Sequence, residues 1–324
     1  MIKVNEIRQR MNAFGRDRKP FLFIIDFEKE NGYFIENPIN QEDILFNIEG
    51  ITNSSSKDFN ISDKEAYLKH YPLSYDDYKK KFDIVHKALL RGDSFLTNLT
   101  LKTRIDTNLS LEEIYHRSNS PFKLYIKDSL VCFSPECFVR IINNKISTYP
   151  MKGTIDANIP DAENIILNDY KETAEHYTIV DLMRNDLNQI ARNIRVERFR
   201  YLDLINTNKG KIFQVSSEVI GDLEDDYNNN IGDIILELLP AGSISGAPKE
   251  STVSIINKAE KEKRGFYTGV FGYFDGKNLN SAVLIRYIEK ENEEFFFRSG
   301  GGITINSNPK DEYQEVIDKI YLPF

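Results

Sequence analysis

Glu172 and Glu175, and again Glu312 and Glu315, stand three positions apart, a spacing that on a helix puts both carboxylates of a pair on one face. One such pair is ordinary solvated surface. Two pairs brought together make an all-oxygen cluster suited to a hard cation, above all Mg²⁺, which keeps several waters and shares its shell with anionic substrates. Four carboxylates around one dication leave surplus negative charge, so an anionic substrate there needs cations and N–H donors beside the metal. Arg286, on an apolar strand face with Ala282 and Leu284, and Lys319, one turn beyond Glu315, are candidate cations. The run Ser299-Gly300-Gly301-Gly302 is a candidate source of exposed amides. Taken singly, Arg286 reads equally as a structural ion pair and the glycines as a plain turn.

A second constellation lies in SPECFVRIINNKISTYPMKGT, residues 134–154. If CFVRII and KISTY form a hairpin with a three-residue connection, Glu136 faces Lys152 at its open end. A two-residue connection pairs Glu136 with Met151 instead and sends Lys152 to the other face. In the first register a carboxyl and an amine share one site. Burial there would lower the lysine's pKa and free a nucleophilic amine, with Glu136 handling protons; an ordinary ion pair is the alternative. PAGSISGAPKES fails the glycine-to-lysine spacing of a phosphate loop and reads as a turn entering a helix.

The elements that must position these groups mix without regular βαβ alternation. FLFIIDF and YFIE read as strands, and SYDDYKKKFDIVHKALLRGD as an amphipathic helix ending at Gly92. LVCF, CFVRII and KISTY read as strands around an Asn143-Asn144 turn. Residues 161–193 read as largely helical, 248–264 as a helix closed by Gly265, and 279–287 and 294–298 as strands. Asn308 and Pro309 cap and open the last helix. The class expected is α+β, helices packed around largely antiparallel sheet. The polar run 53–57 and the turn chemistry before Tyr75 suggest a boundary near residue 73. It separates an abbreviated N-terminal segment, 1–73, packed on the core, from a catalytic domain, 74–324.

Composition excludes several classes. The 324 residues carry 42 Lys and Arg against 50 Asp and Glu, net charge −8, the wrong sign for tracking nucleic-acid phosphates. The N-terminus is polar without an apolar leader core, and no stretch approaches a membrane span, so a cytoplasmic protein is expected. Cys132 and Cys137 suit neither a disulfide framework nor a paired-CxxC zinc site, and neither lies in a GxCxG-type nucleophile loop.

Taken together the segments resemble the chorismate-utilising enzymes: anthranilate synthase component I, aminodeoxychorismate synthase component I, isochorismate synthase and salicylate synthase. From about Tyr75 onward the likeness is carried by SPE at 134–136, PMKGT at 150–154, KETAEHYTIVDLMRNDL at 171–187, PAGSISGAPK at 240–249, RGFYTGVFGY at 264–273, LIR at 284–286 and GGGITINSNPKDEYQE at 300–315. The resemblance implies that Mg²⁺ holds a carboxylate of chorismate, with Glu175 and Glu315 as direct ligands and Glu172 and Glu312 supporting them. It implies a pocket lined by Gly153, Thr154, Tyr267, Arg286, Gly300, Gly302 and Lys319. Relatives that aminate at C2 and release pyruvate usually carry alanine where Lys152 stands, so Lys152 implies amination at C4, giving 4-amino-4-deoxychorismate for 4-aminobenzoate and folate. Lys152 then attacks C2 as the C4 hydroxyl leaves with help from Glu136, and ammonia from a separate glutamine amidotransferase adds at C4. Leu96 replaces a common glutamine, where water-using relatives place a lysine, and Gln214 a common histidine. The rival readings are anthranilate synthase component I and a non-catalytic homologue.

Overall fold

Phe21–Ile25 is apolar at every position because each face of this strand meets a different core. Phe21, Phe23 and Ile25 pack with Ile7 and Met11 of the helix Val4–Arg16, while Leu22 and Ile24 pack with Phe46, Leu124 and Phe271. The second set comes from both of the molecule's sheets and joins them face to face. The computed structural model describes residues 1–54, 59, 65–207 and 210–324; the turn expected at 53–57 falls in part outside the described residues.

The described strands form sheets of ten and nine strands, and every pairing among them is antiparallel. With helices on their outer faces they make the expected α+β class. Strands from the first 73 residues enter both sheets: Phe21–Ile25 pairs with Val270–Phe274, and Ile44–Ile48 with Phe122–Ile126. No helix among the described residues is long and apolar enough to cross a membrane.

Two segments pass between the sheets. Leu130–Ser134 lies in the nine-stranded sheet and Cys137–Ile142 in the ten-stranded one, with Pro135 and Glu136 between them. Leu279–Val283 and Tyr287–Glu291 make the return passage through Leu284, Ile285 and Arg286. The passages lie side by side: Val283 N–H donates to the Glu136 carbonyl at 3.2 Å and Phe133 N–H to the Arg286 carbonyl at 3.0 Å. The single strand expected at 279–287 is therefore divided by a change of sheet. Arg286 sits at the division with φ of 54° and does not share a strand face with Ala282 and Leu284.

The glycine run also departs from expectation. Residues 299–302 continue the strand Glu294–Ile303, in register with Leu96–Thr107, Gly300 opposite Thr100 and Gly302 opposite Asn98. Thr100 N–H instead donates to Glu260 Oε1 at 2.9 Å, and the Asn98 carbonyl accepts from Arg264 Nη2 at 2.7 Å. Both pairs are thus the non-hydrogen-bonded kind, so the Gly300 and Gly302 amides point away from that neighbour. Tyr287–Glu291 pairs only as far as Arg298, leaving this edge open.

The ion pair that serves the middle of Leu96–Thr107 is deeply buried, Arg264 at 1% exposure and Glu260 at 3%. Arg264 contacts both Glu260 oxygens, at 2.6 and 2.9 Å, and its guanidinium lies 4.6 Å from the Phe27 ring centre. It also explains a boundary error: the helix Lys249–Glu260 ends four residues before the expected Arg264 because Lys261 takes the left-handed cap, turning Arg264 inward.

Candidate active site

The helix Tyr170–Leu187 begins where the Asp169 side chain accepts Glu172 N–H at 2.8 Å. It packs on Met151–Asp156 and Gly210–Asp222 of the ten-stranded sheet and carries Glu172 and Glu175. The helix Pro309–Asp318 starts at Asn308, whose side chain accepts Lys310 N–H at 2.9 Å. It packs on Glu294–Ile303 of the nine-stranded sheet and carries Glu312 and Glu315. The two acidic pairs are thus brought from different sheets toward one cleft.

Lys152 stands between them. Its Nζ lies 2.7 Å from Glu175 Oε2 and feels the charges of Glu172 and Glu315. Burial opposes its charge, yet the Glu175 hydrogen bond and these carboxylates prevail, and its pKa is raised. The expected neutral amine is therefore not the resting form: acidic neighbours outweigh desolvation.

The hairpin takes the second of the two registers. Asn143 and Asn144 are both left-handed, at φ 50° and 61°, forming a two-residue connection with Arg140 opposite Ser147. Lys145–Thr148 then stops, and Lys152 falls on the next strand, Met151–Asp156. Glu136 does not face Lys152 across a hairpin. Its Oε1 accepts a 2.6 Å hydrogen bond from Ser243 Oγ, in the short helix Gly242–Ser245. Desolvation raises its pKa against the pull of Ser243, Arg286 and Lys319. Glu136 and Lys152 instead share a neighbour, since Lys319 is coupled to both.

Lys319 Nζ donates to Glu315 Oε1 at 2.6 Å and to the Gly300 carbonyl at 2.7 Å. Burial and the charges of Arg286 and Lys152 lower its pKa despite Glu315. Arg286 Nε donates to Tyr321 Oη at 3.2 Å, and among the described residues no carboxylate lies within ion-pair distance of it. Tyr267, 4% exposed, is pushed up to about 12 by burial. Thr154, opposite Gln214, is exposed on its strand. The Gln214 amide donates to Met151 Sδ.

Among the described residues, no three histidine, cysteine or carboxylate side chains converge closely enough to hold a metal ion in this conformation. The donor set nevertheless suits a hard cation in type and charge. An ammonium already sits on Glu175 and another on Glu315. Burial and the like charge of Glu315 raise the Glu312 pKa, although Ser307 Oγ donates to it at 2.7 Å. The backbone leaves room beside the acids: a Cβ on Gly301 would lie 3.3 Å from Glu315 Oε1 and 3.4 Å from Glu312 Oε2.

Gly153 is the tighter case, with φ of +90° and a Cβ position 3.1 Å from Glu172 Oε2. Gly153→Ala combines left-handed strain of about 1–2 kcal/mol with a push on Glu172 and on neighbouring Lys152. We expect catalytic turnover to fall about tenfold or more while the unfolding midpoint moves by only a few degrees, read by steady-state kinetics beside thermal denaturation.

Residue patterns alone passed over Ser243, although PAGSISGAPK marked its segment, and His176, one residue beyond Glu175. His176 is fully buried, its Nε2 2.7 Å from Ser217 Oγ. Burial and the Arg200 charge push it down to about 4, so it stays neutral behind Lys152.

The chain is similar to known proteins. The family described as chorismate binding enzyme matches residues 25–323. The "Uncharacterized PabA-like protein" of Haemophilus influenzae is 54% identical over 320 residues, covering 97% of this chain and 95% of that protein. Aminodeoxychorismate synthase component 1 of Bacillus subtilis is 31% identical over 265 residues, covering 77% of this chain and 55% of that protein. Among solved structures, anthranilate synthase component I from Streptococcus pneumoniae superposes with a TM-score of 0.68 at 28% identity, covering 78% of this chain and 58% of the other.

Proposed function

The chain belongs to the chorismate binding enzyme family, and from that premise we propose that it aminates chorismate at C4, as the synthase component of an aminodeoxychorismate synthase. The observation that carries this reading is Lys152, an amine set between two acidic pairs at 2.7 Å from Glu175.

Arg286, Lys319 and the outward amides of Gly300 and Gly302 would bind the carboxylates of chorismate. Glu175 and Glu315 would hold Mg²⁺ directly, with Glu172 and Glu312 in support. When bound, the ion would neutralise these acids and anchor a substrate carboxylate. Lys152 must leave Glu175 and pass its proton to solvent before it can attack, regaining one when it is released. Its amine then bonds to C2 while the C4–O bond breaks, and Glu136, whose raised pKa suits an acid, protonates the departing hydroxyl to water. Ammonia adds at C4, the C2–N bond breaks to release Lys152, and the Glu136 carboxylate takes the proton shed by the new amine. Ammonia would come from a separate glutamine amidotransferase. Cys132 fits no such role here, because it is fully buried and burial raises its thiol pKa.

Anthranilate synthesis is the second reading, favoured by the structural likeness to that enzyme. Incubating the purified chain with chorismate, MgCl₂ and ammonium chloride separates the two. Aminodeoxychorismate without pyruvate is expected; anthranilate with stoichiometric pyruvate would transfer the protein to the lyase branch, and unconsumed chorismate would mark a non-catalytic homologue.

A further inference from the structure

Tyr78 lies on the helix Tyr75–Leu90, which packs on Pro309–Asp318 and on Glu294–Ile303. Its ring belongs to the apolar cluster of Phe82, Ile303 and Val316, and its centre is 5.2 Å from that of the Tyr313 ring. The residue has 0% exposure, yet its hydroxyl finds no hydrogen-bond partner. A buried hydroxyl without a partner destabilises a fold relative to phenylalanine at the same place. Packing alone therefore gives no reason for the oxygen.

That oxygen is set beside the second acidic pair. Tyr313 stands between Glu312 and Glu315 in the chain and Val316 follows them, so the cluster that holds Tyr78 adjoins both carboxylates. Burial raises the Tyr78 pKa, and the charges of Glu312 and then Glu315 raise it further, so the group remains a neutral donor. Both acids have other partners in this conformation: Ser307 Oγ donates to Glu312 Oε1 at 2.7 Å, and Lys319 Nζ to Glu315 Oε1 at 2.6 Å. Glu312 Oε2 lies 3.4 Å from the Gly301 Cβ position, and Glu315 Oε1 3.3 Å from the same point. Two carboxylates thus approach each other over one glycine, and among the described residues nothing donates to Glu312 Oε2.

Resting on the cation site proposed above, we infer that Tyr78 is a positioning residue for that site, its hydroxyl donating to Glu312 Oε2 in the cation-loaded protein. A carboxylate that supports a bound cation is oriented by donors on its own oxygens. Ser307 supplies one such donor and Tyr78 the other, and each oxygen keeps a lone pair for the waters of the ion. The neutrality of this donor matters. Lys152 on Glu175 and Lys319 on Glu315 are cations that compete with a dication for the same acids, whereas a phenol adds no positive charge. The hydroxyl is unpaired while the ammonium groups hold the acids, and it gains its partner when they give way to a dication.

The test titrates the full chain with MnCl₂ in the presence of chorismate and without ammonium, counting free Mn²⁺ by electron paramagnetic resonance. Tyr78→Phe, which removes a single oxygen, should weaken Mn²⁺ binding about tenfold. With metal withheld, the same variant should unfold at or above the wild-type midpoint, because the unpaired hydroxyl is gone. These opposite signs separate positioning from a structural role, in which the metal-free protein would lose stability too. Mn²⁺ affinity equal to or above that of wild type overturns the assignment, and so does a metal-free midpoint below that of wild type. A wild type that binds no Mn²⁺ refutes the cation site itself, and this inference with it.

Discussion

On the proposed amination, Lys152→Ala should lower formation of amino product about 10³-fold or more while leaving chorismate bound, because in that scheme it removes the nucleophile and not the carboxylate-binding cations. Lys152→Arg should be equally inactive, since guanidinium cannot shed its proton. The pair of variants distinguishes nucleophile from counter-charge: if Lys152 served only to neutralise Glu175, 2.7 Å away, arginine would restore much of the rate. Quenched reactions followed by mass, beside chorismate binding by equilibrium dialysis, read both quantities. An alanine variant within tenfold of wild type would remove Lys152 from the chemistry.

Arg264→Met should destabilise the fold by about 3–5 kcal/mol, the largest stability loss we expect from one substitution. It strands the Glu260 carboxylate at 3% exposure and leaves the Asn98 carbonyl without its donor. Adding Glu260→Met should recover part of the loss by removing the orphaned charge, although Thr100 N–H then lacks its acceptor. Urea unfolding of the single and double variants measures the coupling directly. A single variant that unfolds at the wild-type midpoint would show that the buried pair contributes no net stability.

Local signals were legible wherever local chemistry decides structure. The i, i+3 glutamates lie on helices, one announced by Asn308-Pro309 and the other starting at Asp169 inside the span 161–193 that reads as one helical stretch, and the strands around Asn143-Asn144 were readable from composition. The hairpin register required choosing a turn type. Two adjacent asparagines suit the two left-handed positions of a two-residue turn, and that local signal favours the register the hairpin takes. Other features were not written locally. Residues 279–287 are apolar on both sides of the sheet change, so periodicity gives no reason to break the strand at Leu284. The glycines at 300–302 signal a turn by propensity, but a long-range ladder with Leu96–Thr107 overrides it. That the acidic pairs hang from different sheets follows only from topology.

The two passages that carry the chain between sheets have a mechanical consequence. Because they are bonded to each other, through Val283 to Glu136 and Phe133 to Arg286, they act as a rivet at the seam. Glu136 and Arg286 sit on the rivet, while the glutamate pairs are carried by helices packed on different sheets. Amide exchange should therefore be slowest at Phe133 and Val283, whose N–H groups bridge the two passages, and faster along the two acidic helices.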